Sequence, residues 1–188
     1  VEYPSRITEM WARNPVVMAN YALHHETGEP MPEELFAKVL AASKFNGGYD
    51  TLEYLEAAML DQAWHGLRVD EVPEADGVME FEQAVLENLG VAYAPVPPRY
   101  STTYFAHITA GGYAAGYYAY LWSEVLARDT GAWFDEDGGL SREKGDAFRE
   151  GILSKGRTQE PVALFEALNG GPPDIAPLLE YKGLVQPE

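Results

Sequence analysis

Apolar side chains recur every three or four positions along nearly the whole chain, and that period predicts a protein built of helices. Pro4 suits a first helical turn, where a missing N–H costs nothing, so a helix is expected from there into the low twenties, broken before Pro15. Gly28 and Pro30 mark a loop, and Pro32, Glu33 and Glu34 open a second helix carrying Leu35, Phe36, Val39 and Leu40. Asn46-Gly47-Gly48 interrupts it. Asp50 and Glu53 have capping-box spacing for a third helix, with Leu52, Leu55, Met59, Ala63 and Trp64 as its expected core stripe. Val78, Phe81, Val85 and Leu89 mark a short acidic helix. The proline-rich stretch 94–98 reads as an extended connector, near 94–100, inside a single helical domain of residues 1–188. Residues 107–128 read as a glycine-rich turn feeding a long, buried, aromatic helix. Shorter helices are expected near 141–155, 161–168 and 175–181. No stretch reads as a strand or a repeat, so the expected fold class is all-α.

A hydrophobic fraction of 46% with 12% aromatic residues excludes a disordered chain. The net charge of -17 repels phosphate backbones, so no nucleic-acid partner is expected. With no cysteine, disulfides, thiol chemistry and cysteine-ligated zinc are excluded. No apolar run approaches the ~20 residues of a membrane helix, and no membrane partner is expected. The segment Val1-Glu2-Tyr3-Pro4 has neither the pattern of a signal peptide nor a starting methionine, which predicts a processed or truncated cytoplasmic product.

The most unusual stretch starts at His107 and ends at Tyr120. Gly111 and Gly112 let the backbone turn sharply or approach a ligand closely. Tyr113, Tyr117 and Tyr120 then follow at i, i+4 and i+7, a spacing that puts three phenols on one face if the segment is helical. Phenols, with a histidine before the turn, are good hydrogen-bond donors to a developing oxyanion. The same spacing also describes a tyrosine-rich helix packed against small neighbours. Spacing leaves both readings open.

The run from His107 through Gly111-Gly112-Tyr113 and Tyr117-Tyr118-Ala119-Tyr120 to Leu121-Trp122 resembles the signature of the thimet-oligopeptidase and peptidyl-dipeptidase family of zinc metallopeptidases. Val1-Glu2-Tyr3-Pro4-Ser5 with Glu9 and Trp11, Ser43-Lys44-Phe45-Asn46-Gly47-Gly48-Tyr49, Leu60-Asp61-Gln62-Ala63-Trp64-His65, Phe148-Arg149-Glu150-Gly151-Ile152-Leu153-Ser154 and Lys182-Gly183-Leu184 resemble further ordered blocks of that family. The resemblance implies the C-terminal portion of a larger helical peptidase. It implies that Glu2 is the third zinc ligand, beside two histidines of a His-Glu-x-x-His helix, and that Glu9 orients a ligand histidine. It implies that His107 and Tyr120 bind the substrate and the oxyanion, and that Tyr113 and Tyr117 line the same cleft with Gly111 and Gly112. His65 is expected to cap or pack at its helix end, and His24 and His25 to be surface residues near a helix C-terminus.

The sequence contains no His-Glu-x-x-His, and its four histidines include no pair at i and i+4. The expectation is therefore a fragment whose parent uses Zn2+ to hydrolyse short peptides, releasing C-terminal dipeptides. The fragment is expected to be inactive alone, to retain no zinc, and to self-associate through exposed apolar surface. The alternatives are a non-catalytic peptide-binding domain and a purely structural helical domain.

Overall fold

The computed structural model describes residues 2–136, 138–156 and 158–185. Among them are ten α-helices: α1 Glu2–Trp11, α2 Pro15–Tyr21, α3 Glu33–Ala42, α4 Gly47–Gly66, α5 Val78–Asn88, α6 Ala106–Thr109, α7 Ala119–Asp135, α8 Arg142–Phe148, α9 Pro161–Asn169 and α10 Ala176–Tyr181. A π-helical turn, Arg149–Leu153, continues α8. Strand pairing among the described residues is limited to two isolated bridges, Leu23 with Pro30 and Tyr93 with Val96. The all-α expectation is met. No helix among the described residues is long and apolar enough to cross a membrane.

Local chemistry explains several helix limits. Asn14 caps α2 by accepting the N–H of Val16 and Val17, with Pro15 in the first turn. Gly170, at φ +83°, ends α9 in the left-handed conformation that glycine adopts without strain. One expectation needs correcting. Asp50 does not cap the third helix, because α4 already starts at Gly47, behind Asn46 in a left-handed conformation (φ 58°).

The chain divides into two compact units, Val1–Phe45 with Leu121–Glu188, and Asn46–Tyr120. The first has a core of Ile7, Ala127, Phe134, Phe148, Ile152 and Leu164, joined by Tyr3, Trp11, Trp133 and Leu168. Tyr3 meets Phe148 and Phe165 edge-on at 6.0 and 6.2 Å, and its hydroxyl bonds Thr130 Oγ1 at 2.7 Å. Burial pushes the Tyr3 phenol up to about 12. At Gly131 a Cβ would stand 1.9 Å from Met10 Cε, so α1 and α7 pack closely here because position 131 has no side chain.

The second unit contains α4, α5 and α6. The expected stripe on α4 is half-buried. The fully buried face is instead Tyr54, Ala57, Ala58 and Asp61, at i, i+3, i+4 and i+7, with Glu56 and Leu60 beside it. Two carboxylates therefore lie where apolar residues were expected. The connector expected near 94–100 belongs to this unit. It turns tightly at its start, where the Val96 N–H donates to the Tyr93 carbonyl at 2.8 Å and Val96 is buried.

Glu56 is 1% exposed. It accepts the Tyr93 backbone N–H, while Oε2 has no hydrogen-bond partner. Burial holds this carboxyl above its ordinary value of 4.5. In the unfolded chain it ionises at that ordinary value, so raising the pH through it favours unfolding until the folded carboxyl ionises too. Glu56→Gln removes the penalty and keeps an acceptor for Tyr93. Urea titrations at several pH values should show the variant more stable than the parent at neutral pH by about 1 kcal/mol, with the difference gone below about pH 4.

Candidate active site

The chain from α6 to α7 doubles back on itself, and this reversal assembles the tyrosines. The Tyr113 N–H donates to the His107 carbonyl at 3.1 Å. A Cβ at position 111 would lie 2.9 Å from that same carbonyl oxygen, so Gly111 is required for the close approach. Gly112 supplies the left-handed turn at φ +79°. Ala115 also adopts φ 53°, a conformation that costs an L-residue roughly 1 kcal/mol unless its surroundings hold it.

The sequence pattern predicted one helical face for Tyr113, Tyr117 and Tyr120. The structure differs: residues 110–118 are turns, and α7 starts at Ala119. Ala115, left-handed between Tyr113 and Tyr117, rules out one continuous helix through the three tyrosines. The rings nevertheless converge. Tyr113 and Tyr120 stack at 5.3 Å, and Tyr117 meets Tyr120 edge-on at 5.5 Å. His107 stands 5.3 Å from Tyr117, 6.2 Å from Tyr113 and 6.3 Å from Tyr120. Tyr100, Phe105 and Tyr54 complete the aromatic group: Tyr54 stacks on Tyr117 at 5.1 Å, and Phe105 meets Tyr117 edge-on at 4.8 Å.

Burial separates the roles. Tyr117 is 3% exposed and belongs to the core of its unit, whereas His107, Tyr113 and Tyr120 are half-buried. Burial raises the Tyr117 phenol, against the opposing pull of the Arg99 guanidinium beside it. Arg99 is anchored through Nε and a terminal nitrogen to Glu53 Oε1 at 3.0 and 2.7 Å. His107, Tyr113 and Tyr120 thus combine partial access with a fixed geometry, which suits hydrogen-bond donors to a substrate.

Glu2 and Glu9 lie in the other unit, seven residues apart on α1 and so on one side of it. Glu2 is half-buried, and its Oε2 accepts the Ser5 hydroxyl at 3.2 Å. Glu9 is exposed and pairs with Arg6 at 3.2 Å. No three of His, Cys, Asp or Glu among the described residues come together as metal ligands. The donors present do not make up a zinc site. Glu2 supplies one carboxylate, and the two histidines that would stand beside it are not in this sequence. His65 packs at its helix end as expected, with Nδ1 2.8 Å from Asp61. His24 and His25 are exposed, their rings tilted by 34° with centroids 4.9 Å apart.

Residues 1–184 match the family described as Peptidase family M3. The chain belongs to that family. This M3 chain is 49% identical to the dipeptidyl carboxypeptidase of Salmonella typhimurium and 48% identical to that of Escherichia coli, each over 184 residues. It is 38% identical over 185 residues to Escherichia coli oligopeptidase A. Each match covers 98% of this chain and 27% of the relative, so the chain spans about a quarter of the length of these proteins.

Sequence reasoning did not single out Asp61, Tyr54 or Arg99, which hold the tyrosine group in place. A signal was there for Asp61: a carboxylate in register with Tyr54, Ala57 and Ala58 on one helix face, where an unpaired charge is too costly to bury.

Proposed function

We propose that this chain is the substrate-binding and oxyanion-stabilising part of a larger cytoplasmic zinc peptidase that cuts short peptides and releases C-terminal dipeptides. The observation that carries the reading is the convergence of His107, Tyr113 and Tyr120 as half-buried donors within a family of peptidases. The relatives named dipeptidyl carboxypeptidase, at 48 and 49% identity, favour dipeptide release over the internal cleavage of longer peptides. In this reading Tyr120 and His107 donate hydrogen bonds to the oxygen of the scissile carbonyl as charge develops on it. Tyr113 and the backbone around Gly111 and Gly112 hold the substrate chain. Glu2 is the one metal ligand the sequence contributes. The proton acceptor for the attacking water lies outside these residues.

A second reading, a peptide-binding domain without catalysis, is favoured by a sequence that carries no His-Glu-x-x-His. Hydrolysis assays separate the two. The 188-residue chain is expected to show no zinc-dependent cleavage of a short peptide. A longer protein that carries these residues together with a His-Glu-x-x-His segment should release dipeptides from peptides with a free C-terminus, and much more slowly from amidated ones. Equal rates on both would remove the dipeptide-release assignment. No cleavage of either by the longer protein would leave the binding domain.

A further inference from the structure

We propose that Asp61 is the positioning residue of the tyrosine cluster, the group that fixes the turn from which Tyr113 and Tyr120 are presented. This rests on the reading of that cluster as a substrate and oxyanion site.

Asp61 has no exposed surface at all. Its two carboxylate oxygens are both used on the turn: Oδ1 accepts the Ala115 N–H at 2.9 Å and Oδ2 accepts the Tyr117 N–H at 2.8 Å. The same helix, α4, also holds the carbonyls. Gln62 Nε2 donates to the Ala115 carbonyl at 2.9 Å, and the Tyr54 hydroxyl donates to the Tyr117 carbonyl. Four hydrogen bonds from one helix therefore fix residues 115 and 117. They enclose Ala115, the residue held at positive φ.

Burying a carboxylate is costly unless hydrogen bonds to its oxygens replace those it made to water. Here the compensation comes from the amides of Ala115 and Tyr117, which lie ahead of α7, and from His65 Nδ1, which stands 2.8 Å from Oδ1. The consequence is directional. With residues 115 and 117 fixed, Tyr113 leaves the turn on one side and Tyr120 on the other, and the two rings stack at 5.3 Å. A small displacement of the turn would move both phenols relative to a bound peptide, and a misplacement near 1 Å can lower a rate by about a hundredfold.

Two measurements test this. In the 188-residue chain, amide exchange by NMR should show Ala115 and Tyr117 exchanging at least about tenfold faster in Asp61→Asn than in the parent, while amides in the middle of α5 are unchanged. In the longer protein with its metal-binding segment, Asp61→Asn should lower kcat about 10- to 100-fold with little change in KM. Tyr54→Phe keeps the aromatic packing and loses one carbonyl contact, so it should move both readouts in the same direction by less. It also serves if Asp61→Asn folds poorly. Unchanged exchange at Ala115 and Tyr117 in both variants would overturn the clamp. Faster exchange with unchanged kcat would overturn its role in positioning. Tyr120→Phe, run in the same assay, reports on the cluster itself. If Tyr120→Phe slows hydrolysis and neither Asp61→Asn nor Tyr54→Phe does, the reading of the cluster stands and the role of Asp61 falls.

Discussion

Tyr120→Phe, placed in a longer protein that also carries the metal-binding segment, should lower kcat for peptide hydrolysis about 10²- to 10³-fold and leave KM nearly unchanged. The substitution removes one hydroxyl from a ring whose position is set by its stack on Tyr113 and its edge contact with Tyr117. Both contacts survive in phenylalanine, so the turn and the fold should persist. On the proposed reading the substitution removes a donor to charge that exists only at the transition state, and single donors of that kind are typically worth roughly 3 kcal/mol. An interaction made only there changes kcat and kcat/KM alike, which is the kinetic signature to look for. Tyr117→Phe is the internal control. Tyr117 is buried beside Arg99, so its hydroxyl should affect stability, by about 1 kcal/mol, more than rate. If Tyr120→Phe turns over as fast as the parent, the phenol only packs and the oxyanion role is wrong.

The helices were legible because their apolar spacing is regular and their ends carry recognisable chemistry. Pro15 behind Asn14, Pro161 at the start of α9 and Gly170 past its end are all local signals. The double glycine was equally legible as a place of close backbone approach. The path after it was not. Tyr113, Tyr117 and Tyr120 carry helical spacing, yet Ala115 sits in a left-handed conformation that nothing about alanine announces. The N–H of that residue is bonded from 54 residues away, by the carboxylate of Asp61. The buried face of α4 was misjudged for the same reason. Counting apolar residues selects Leu52, Leu55 and Met59, whereas the most buried positions include Glu56 and Asp61, whose burial depends on partners distant in the chain. Local pattern reports local preference, and long-range hydrogen bonding decided both exceptions. The roles of His107 and the tyrosines rest on family resemblance, because a tyrosine stripe on its own reads first as packing.

Phe134→Ala should destabilise the first unit by about 3 to 5 kcal/mol, a large share of the 5 to 15 kcal/mol typical of a folded domain. Phe134 is 3% exposed and stands at the centre of an aromatic cluster: Trp11 at 5.0 Å, Trp133 at 4.9 Å and Phe148 at 6.1 Å all meet it edge-on. These partners come from α1, α7 and α8, so the ring, itself on α7, joins the following helix and the sequence-remote α1. Truncation removes the transfer energy of the ring and leaves a hole. The large rings around it cannot close that hole without giving up their edge contacts. Urea unfolding followed by tryptophan fluorescence is a direct measure, because two of the four tryptophans touch the substituted ring. The midpoint should fall while the slope of the transition stays the same, since the surface exposed on unfolding hardly changes. Phe134→Leu, which refills most of the space, should recover more than half of the loss. A shift below about 1 kcal/mol for Phe134→Ala would mean that this cluster does not hold α1, α7 and α8 together.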